Sequence, residues 1–174
     1  EVFLDVAKHR IVLNTKARVA RVSAVGVLQE ILAKMSALGA RYVVMEASAH
    51  ALWYKKLAGM RFCACIFTNF TQDHLDFFAS MQTYQDAKAR LFSDEVCPIA
   101  ILNGDDPTGR IFGNGRKGET VYYGLQTPAE AFAVITEETL YKTVCVLNIQ
   151  DKLCRVSLAL TGRHNVYNAL SASL

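Results

Sequence analysis

The sequence predicts an α/β fold: a mostly parallel sheet flanked by helices, with an antiparallel β segment appended towards the C-terminus. Three observations carry this reading. Helix-like and strand-like apolar patterns alternate between residues 24 and 102. The three strand-like runs there are short and continuous, as expected of strands buried on both faces of a parallel sheet. From Glu119 onward, β-prone segments follow one another with only turn or charged residues between them.

The first element is an amphipathic helix over about Ala24 to Leu38. Val27, Leu28, Ile31, Leu32, Met35 and Leu38 recur at helical spacing, and Gly39 supplies the stop. The strand-like runs are Tyr42 to Met45, Phe62 to Phe67 and Ile99 to Leu102, separated by helical segments near His50 to Ala58 and Ser80 to Phe92. Thr120 to Tyr123, Ala131 to Ile135, Leu140 to Ile149 and Leu153 to Leu160 are then expected as antiparallel strands. A final helix follows Gly162, with Asn165 or a neighbour as its cap.

Composition bounds the function. The 174 residues are 52% apolar, enough for the core of one domain. The net charge of +3 is spread along the chain, and its richest basic stretch, Lys8 to Arg21, is diluted by Val, Leu and Ala, so nucleic-acid binding is not expected. No apolar run reaches the roughly 18 to 20 residues that span a bilayer, and no signal-peptide pattern opens the chain; no membrane insertion and a cytoplasmic location are expected. The cysteines at 63, 65, 97, 145 and 154 form no CxxC pair and read as buried free thiols, with Cys63 and Cys65 on one face of a strand. The chain opens without Met and stops inside an apparent helix, which reads as a fragment of something longer.

Chemistry concentrates where the apolar runs end. The first ends in Glu46, the second in Thr68-Asn69, and the third in Asn103-Gly104-Asp105-Asp106. Ligands of open parallel sheets bind beyond the carboxyl ends of the strands, so these three ends are expected to face one site. The stretch from Thr68 to Phe92 adds Asp73-His74 and Lys88. On the helical stripe of Met81, Tyr84, Ala87 and Leu91, Lys88 falls at the edge of the buried side. A half-buried ammonium needs a carboxylate partner, a depressed pKa or chemical conversion. Glu46 and His74 are ordinary ligands for a hard cation such as Mg²⁺, and a carbamylated lysine would add an anionic oxygen. The alternative is that Lys88 reaches water and pairs with Asp86 or Asp94.

Several motifs in a fixed order carry a resemblance: VVMEASAHAL (43–52), LAGMRF (57–62), TNFTQDHLDFFASMQTYQDAKARLF (68–92), NGDDPTGR (103–110), YYGL (122–125) and GRHNVYNAL (162–170). From about Leu28 to Leu174 the chain resembles the central ATP-binding domain of the Mur ligases, most closely the MurE type. The resemblance implies a P-loop NTPase-like sheet. It also implies an ATP-dependent ligase that adds meso-diaminopimelate or L-lysine to UDP-N-acetylmuramoyl-L-Ala-D-Glu through an acyl phosphate, with ATP and Mg²⁺ and as a monomer when full length. By position, Glu46, His74 and Lys88 match the magnesium ligands, Lys88 as the carbamylated lysine, and Lys88 and His74 are the catalytic candidates. Asn69 matches a residue beside the phosphates. Asn103, His164, Asn165 and Asn168 match positions around the adenine, with Arg110 nearby, and Ser48 and Lys56 match substrate contacts.

The departures are specific. No GxxxxGK[ST] loop occurs in the chain, and the family's N-terminal UDP-binding and C-terminal domains are expected to lie outside it, leaving residues 1–174 as an incomplete central domain. The Thr-Thr-Pro segment of the family is replaced by Ala20-Arg21-Val22-Ser23. Ala49 and Phe78 stand where Ser and His are usual, and Lys56 replaces an arginine. These changes keep two other readings open: a non-catalytic paralogue that binds nucleotide or muropeptide, and a related ligase such as folylpolyglutamate synthetase.

Overall fold

The computed structural model describes residues 2–5, 10–14, 24–71 and 77–174. The chain divides into two compact units, residues 1–60 with 86–88, and residues 61–85 with 89–174.

The first unit carries a three-stranded sheet. β1 (Val2–Asp5) pairs antiparallel with β2 (Arg10–Asn14), and β2 pairs parallel with β3 (Tyr42–Glu46). Neither β1 nor β2 is expected from the sequence; each carries only three successive apolar residues, too short a run to stand out. Between β2 and β3 lies α1 (Ala24–Ala37), as the periodicity predicts. Leu28, Ile31, Leu32 and Met35 pack against Ala40 and Met45, with Met35 buried. Gly39 adopts φ +87°, and the pair Ala40 N–H to Met35 carbonyl (3.0 Å) and Gly39 N–H to Ser36 carbonyl (2.9 Å) closes a Schellman motif. α2 (Ala49–Trp53) is shorter than the expected segment to Ala58. The chain turns away after it, with Lys55 at φ +54°.

The second unit is built on six strands whose spatial order is their order in the chain: β4 (Ala64–Phe67), β5 (Ile99–Asn103), β6 (Glu119–Gly124), β7 (Ala131–Glu138), β8 (Thr143–Ile149) and β9 (Lys152–Leu158). β4, β5, β6 and the start of β7 are parallel; β7, β8 and β9 are antiparallel. The fold class is as predicted, with two corrections. β6 belongs to the parallel part, because the residues before it form a helix, α4 (Pro107–Gly113), and so make a crossover instead of a hairpin. The third antiparallel strand starts at Thr143, leaving Leu140 and Tyr141 exposed in the turn.

Burial separates the strands. β5 is covered on both sides, as its apolar run predicts. Ala100 and Leu102 face a cluster with Cys65, Phe67, Phe92, Cys97 and Phe112, and Ile101 faces Tyr123, Ala133, Leu147, Val166 and Leu170. The first cluster is closed by α4 and by the 3-10 turn Arg90–Phe92 that follows α3 (Met81–Ala89); Phe92 and Phe112 stack at 5.2 Å. The second is closed by α5 (Arg163–Ala172). β4 alternates instead, with Cys65 and Phe67 buried and Ile66 43% exposed. β3 is the clearer departure from a doubly buried strand, with Tyr42 70% and Val44 57% exposed. Cys65, Cys97 and Cys145 are buried free thiols as expected, whereas Cys63, which precedes β4, and Cys154 on β9 are exposed.

At the amino ends of β5 and β6 the buried Arg116 guanidinium ties the chain together. It donates to the carbonyls of Phe92 and Cys97 (2.7 Å to Cys97) and lies 3.4 Å from Asp94. Asp94 also accepts the Lys117 and Gly118 N–H groups, which hold its carboxyl below the usual range. α5 begins differently from expectation: Gly162, at φ +95°, takes the cap position, and Asn165 lies inside the helix with its amide donating to the Thr161 carbonyl at 2.7 Å. Among the described residues no helix is long and apolar enough to cross a membrane.

The Thr143 hydroxyl is fully buried and meets no partner among the described residues. Replacing it with a methyl removes the desolvation cost at nearly constant shape. Thr143→Val should therefore stabilise the protein by about 1 kcal/mol in urea unfolding; a loss of stability would show that the hydroxyl is satisfied.

Candidate functional site

The polar groups at the carboxyl ends of the parallel strands are organised by one turn. Asn103 ends β5, and Gly104, Asp105 and Asp106 lead into α4, whose N-terminus Asp106 caps by accepting the Thr108 N–H at 2.8 Å, with Pro107 at the first helical position. Gly109 lets this helix close onto the strand: a Cβ there would sit 2.1 Å from the Asn103 carbonyl oxygen.

From this turn, bonds run to both neighbouring strands. Towards β4, the Asn103 amide donates to the Thr68 carbonyl at 2.7 Å, and Asp106 Oδ2 accepts the Phe70 N–H at 2.6 Å. Towards β6, the Gly104 N–H donates to the Tyr123 carbonyl at 2.8 Å. The Asp105 carboxylate accepts the N–H groups of Leu125 (2.6 Å), Gln126 (3.0 Å) and Thr127 (2.7 Å), the Thr127 hydroxyl (2.6 Å) and the Tyr167 hydroxyl of α5 (2.7 Å). The buried Tyr123 hydroxyl donates to the Phe67 carbonyl at 2.9 Å.

Electrostatics follow these bonds. Burial alone would raise the Asp105 carboxyl, but the Thr127, Leu125 and Tyr167 donors outweigh it and bring the group from 3.8 down to about 2. Burial pushes the Tyr123 phenol up to about 12. The Tyr167 phenol is also raised, first by burial and then by its bond to the Asp105 carboxylate.

The sequence-predicted residues separate accordingly. Asn69 is exposed directly after β4, between the two residues tied by Asn103 and Asp106. Asn103 is 6% exposed. The Arg110 guanidinium lies 4.2 Å over the Tyr122 ring and donates to the carbonyls of Gly104 (3.3 Å) and Pro128 (3.2 Å), bridging two exit loops. His164 and Asn168 are exposed on α5, and Asn165 is partly buried. All of these belong to the second unit. Glu46, Ser48, Lys56 and Lys88 belong to the first. Glu46 is exposed at the end of β3, in a sheet with β1 and β2, while the ends of β4 and β5 are neighbours in the six-stranded sheet. Ser48 caps α2, accepting the Ala51 N–H at 3.2 Å. Lys56 and Lys88 are half-buried, and the stripe predicted for α3 is present, with Tyr84 and Ala87 buried. Asp94, one expected surface partner for Lys88, lies against Arg116. His74 lies outside the described residues. Among the described residues no three His, Cys, Asp or Glu side chains form a metal-holding group.

Asp105, Asp106, Tyr123 and Tyr167 carry no role in the sequence reading. The Asp106-Pro107 pair is a legible helix start. Nothing local points Asp105 at Tyr167, 62 residues away.

Comparison with known proteins adds a match between residues 7–174 and the Mur ligase middle domain. The chain belongs to the Mur ligase family. A UDP-N-acetylmuramoyl-L-alanyl-D-glutamate--2,6-diaminopimelate ligase of Caldanaerobacter subterraneus subsp. tengcongensis is 36% identical over 145 residues, covering 83% of this chain and 30% of that protein. One from Gloeobacter violaceus is 52% identical over 83 residues, 47% of this chain and 17% of that protein. A solved structure of a ligase of the same name superposes with a TM-score of 0.77 at 27% identity, over 84% of this chain and 31% of that one. The MurF ligase of Thermotoga maritima in complex with ADP shares the fold, with a TM-score of 0.62 at 20% identity over 93% of this chain and 38% of that one. This Mur ligase domain thus spans about 30% of the length of the first of these relatives.

Because Asp105 titrates near 2 in the fold and near 3.8 unfolded, its contribution to this Mur ligase domain is complete above about pH 4 and is lost as the pH falls towards 2. Asp105→Asn should lower stability at pH 7 by about 1 to 3 kcal/mol. Its urea midpoint should also fall less than the parent's between pH 4 and pH 2.5. Parallel acid limbs in the two proteins would contradict this assignment.

Proposed function

We propose that this chain is the ATP-handling centre of a ligase that joins diaminopimelate to UDP-N-acetylmuramoyl-L-Ala-D-Glu in peptidoglycan precursor synthesis. The observation that carries the proposal is the family match over residues 7–174, together with similarity in sequence and in fold to proteins bearing that activity in their names. The choice of diaminopimelate over L-lysine rests on those names. The proposed substrates and ATP are charged, water-soluble molecules, in keeping with a cytoplasmic reaction.

Amide formation from a bare carboxylate lacks a leaving group. In the proposed sequence the substrate carboxylate oxygen attacks the γ-phosphorus of ATP and ADP leaves; the amino group of the diamino acid then attacks the acyl carbon, phosphate departs, and the amine loses a proton. Positioning of the partners supplies much of the rate, roughly 7 to 11 kcal/mol at best. Asn69, exposed at a strand end, is proposed on the phosphate side. His164, Asn165 and Asn168 are proposed around the adenine, and Ser48 and Lys56 towards the muramoyl-dipeptide.

Magnesium fits the donor chemistry conditionally. Glu46 offers an exposed hard-oxygen carboxylate, to which His74 is a proposed addition. An ammonium on Lys88 would repel the ion, whereas a carbamate there would add an anionic oxygen. When bound, the metal would neutralise charge on the transferring phosphoryl oxygens. Ala49 and Phe78, two departures from the family pattern, are 4% and 2% exposed, and Phe78 packs against Tyr84 with ring centroids 5.1 Å apart. Both are packing positions.

The full-length protein should release phosphate from ATP only when UDP-N-acetylmuramoyl-dipeptide and diaminopimelate are both present. Lys88→Arg keeps the charge but cannot form the carbamate, so turnover should fall at least about 100-fold, the scale of losing one well-placed electrostatic group. Phosphate release independent of either substrate would sink the ligase assignment, and full activity of the arginine variant would sink the carbamate.

A further inference from the structure

Asn69 stands alone between two anchored neighbours. Its preceding carbonyl, on Thr68, accepts the Asn103 amide at 2.7 Å, and its following N–H, on Phe70, is held by the Asp106 carboxylate at 2.6 Å. Phe70 is fixed further by its ring, 4.8 Å from that of Tyr84. The backbone on either side of Asn69 is thus clamped from the neighbouring strand's exit turn, while its own side chain is exposed beyond the carboxyl end of β4, where parallel sheets receive ligands.

The clamping groups are themselves occupied. Asn103 Oδ1 accepts the Asp105 N–H at 3.0 Å while its amide serves Thr68, and the residue is 6% exposed. Asp106 Oδ1 accepts the Thr108 N–H at 2.8 Å while Oδ2 serves Phe70. At 6% exposure, held on both sides by these bonds, the Asn103 amide presents little surface to a base. We propose that Asn103 and Asp106 are positioning residues that hold Asn69 against the phosphate groups of a bound nucleotide, and that Asn103 does not contact the adenine. This revises the place that family resemblance gives Asn103, and it rests on the nucleotide reading of the site.

Asp106 has a second job as the cap of α4, so the test separates the two. Ser caps a helix as well as Asp does but is too short to reach Phe70. Calorimetric titration of the full-length protein with Mg-ATP and with adenosine is compared for the parent, Asp106→Ser, Asn69→Ala and the double variant. If Asp106 acts through Asn69, ATP binding weakens by about five- to tenfold in each single variant, the scale of one hydrogen bond, and adenosine binding stays unchanged. The double variant is then no weaker than Asn69→Ala alone. Undiminished ATP binding by Asp106→Ser, equal losses for ATP and adenosine, or additive losses in the double variant would each overturn the positioning role. Should the serine variant not fold, Asp106→Asn, whose Oδ1 keeps the cap while its Nδ2 is a donor and cannot accept the Phe70 N–H, carries the same comparison, with the same loss of ATP affinity expected. If the parent binds no ATP, the nucleotide reading falls and this inference with it; a parent that binds ATP and an indifferent Asp106 variant overturn this inference alone.

Discussion

Every parallel strand has to end, and where β5 ends its polar backbone would lose its ladder partners unless the exit turn replaced them. Residues 103–106 meet that constraint, and the carboxyl edge of the six-stranded sheet depends on them. One residue, Asp105, gathers three backbone N–H groups and two hydroxyls. Asn103 and Asp106 secure the neighbouring exit on the other side. Bonds to an ionised acceptor are stronger than neutral ones, which suits a partly solvated loop edge that packing alone would leave loose. Arg110 adds a second bridge between the same loops, a cation over the Tyr122 ring with its donors on two carbonyls.

The opposite edge of the sheet is tied by Arg116 and Asp94, so the strands of the second unit are fastened at both ends while Ala100, Leu102 and Ile101 fill the space between. Such a frame suits a site made from loop residues. A side chain such as Asn69 can be exposed and yet held to a narrow range of positions, because the backbone carrying it belongs to the frame. The first unit has its own frame, with α1 on β3 through Met35 and Met45, and it carries Glu46 and Lys88.

Much of this was legible in the sequence, for identifiable reasons. α1 was readable because its apolar residues repeat at helical spacing and Gly39 takes a positive φ. β5 was readable because it is buried on both faces and therefore continuously apolar. β1 and β2 were not, since strands of four and five residues, with only three apolar residues each, are too short to carry either signature. β6 was misread as antiparallel because strand direction is set by the connection, and α4 is a helix of only seven residues, marked mainly by its Asp-Pro start. The residue types of the site were legible as polar ends of apolar runs. Which of them face outward and which are consumed in holding the others depends on pairings such as Asp105 with Tyr167, and sequence spacing carries no trace of those.

The strand order of the six-stranded sheet, β4 through β9 in chain order, bears on how the unit is made. Each new strand pairs with the one synthesised just before it, so the sheet can grow at one edge as the chain leaves the ribosome, and no strand waits for a distant partner before its backbone is satisfied. The later additions are the most local: β7, β8 and β9 are joined by short turns, and hairpins of that kind close in roughly 1 to 10 μs. The slow step would then be the early one, docking β5 beside β4 across the intervening 31 residues that contain α3. A sheet ordered in this way exposes an unpaired growing edge only briefly, which limits the time available for aggregation during synthesis.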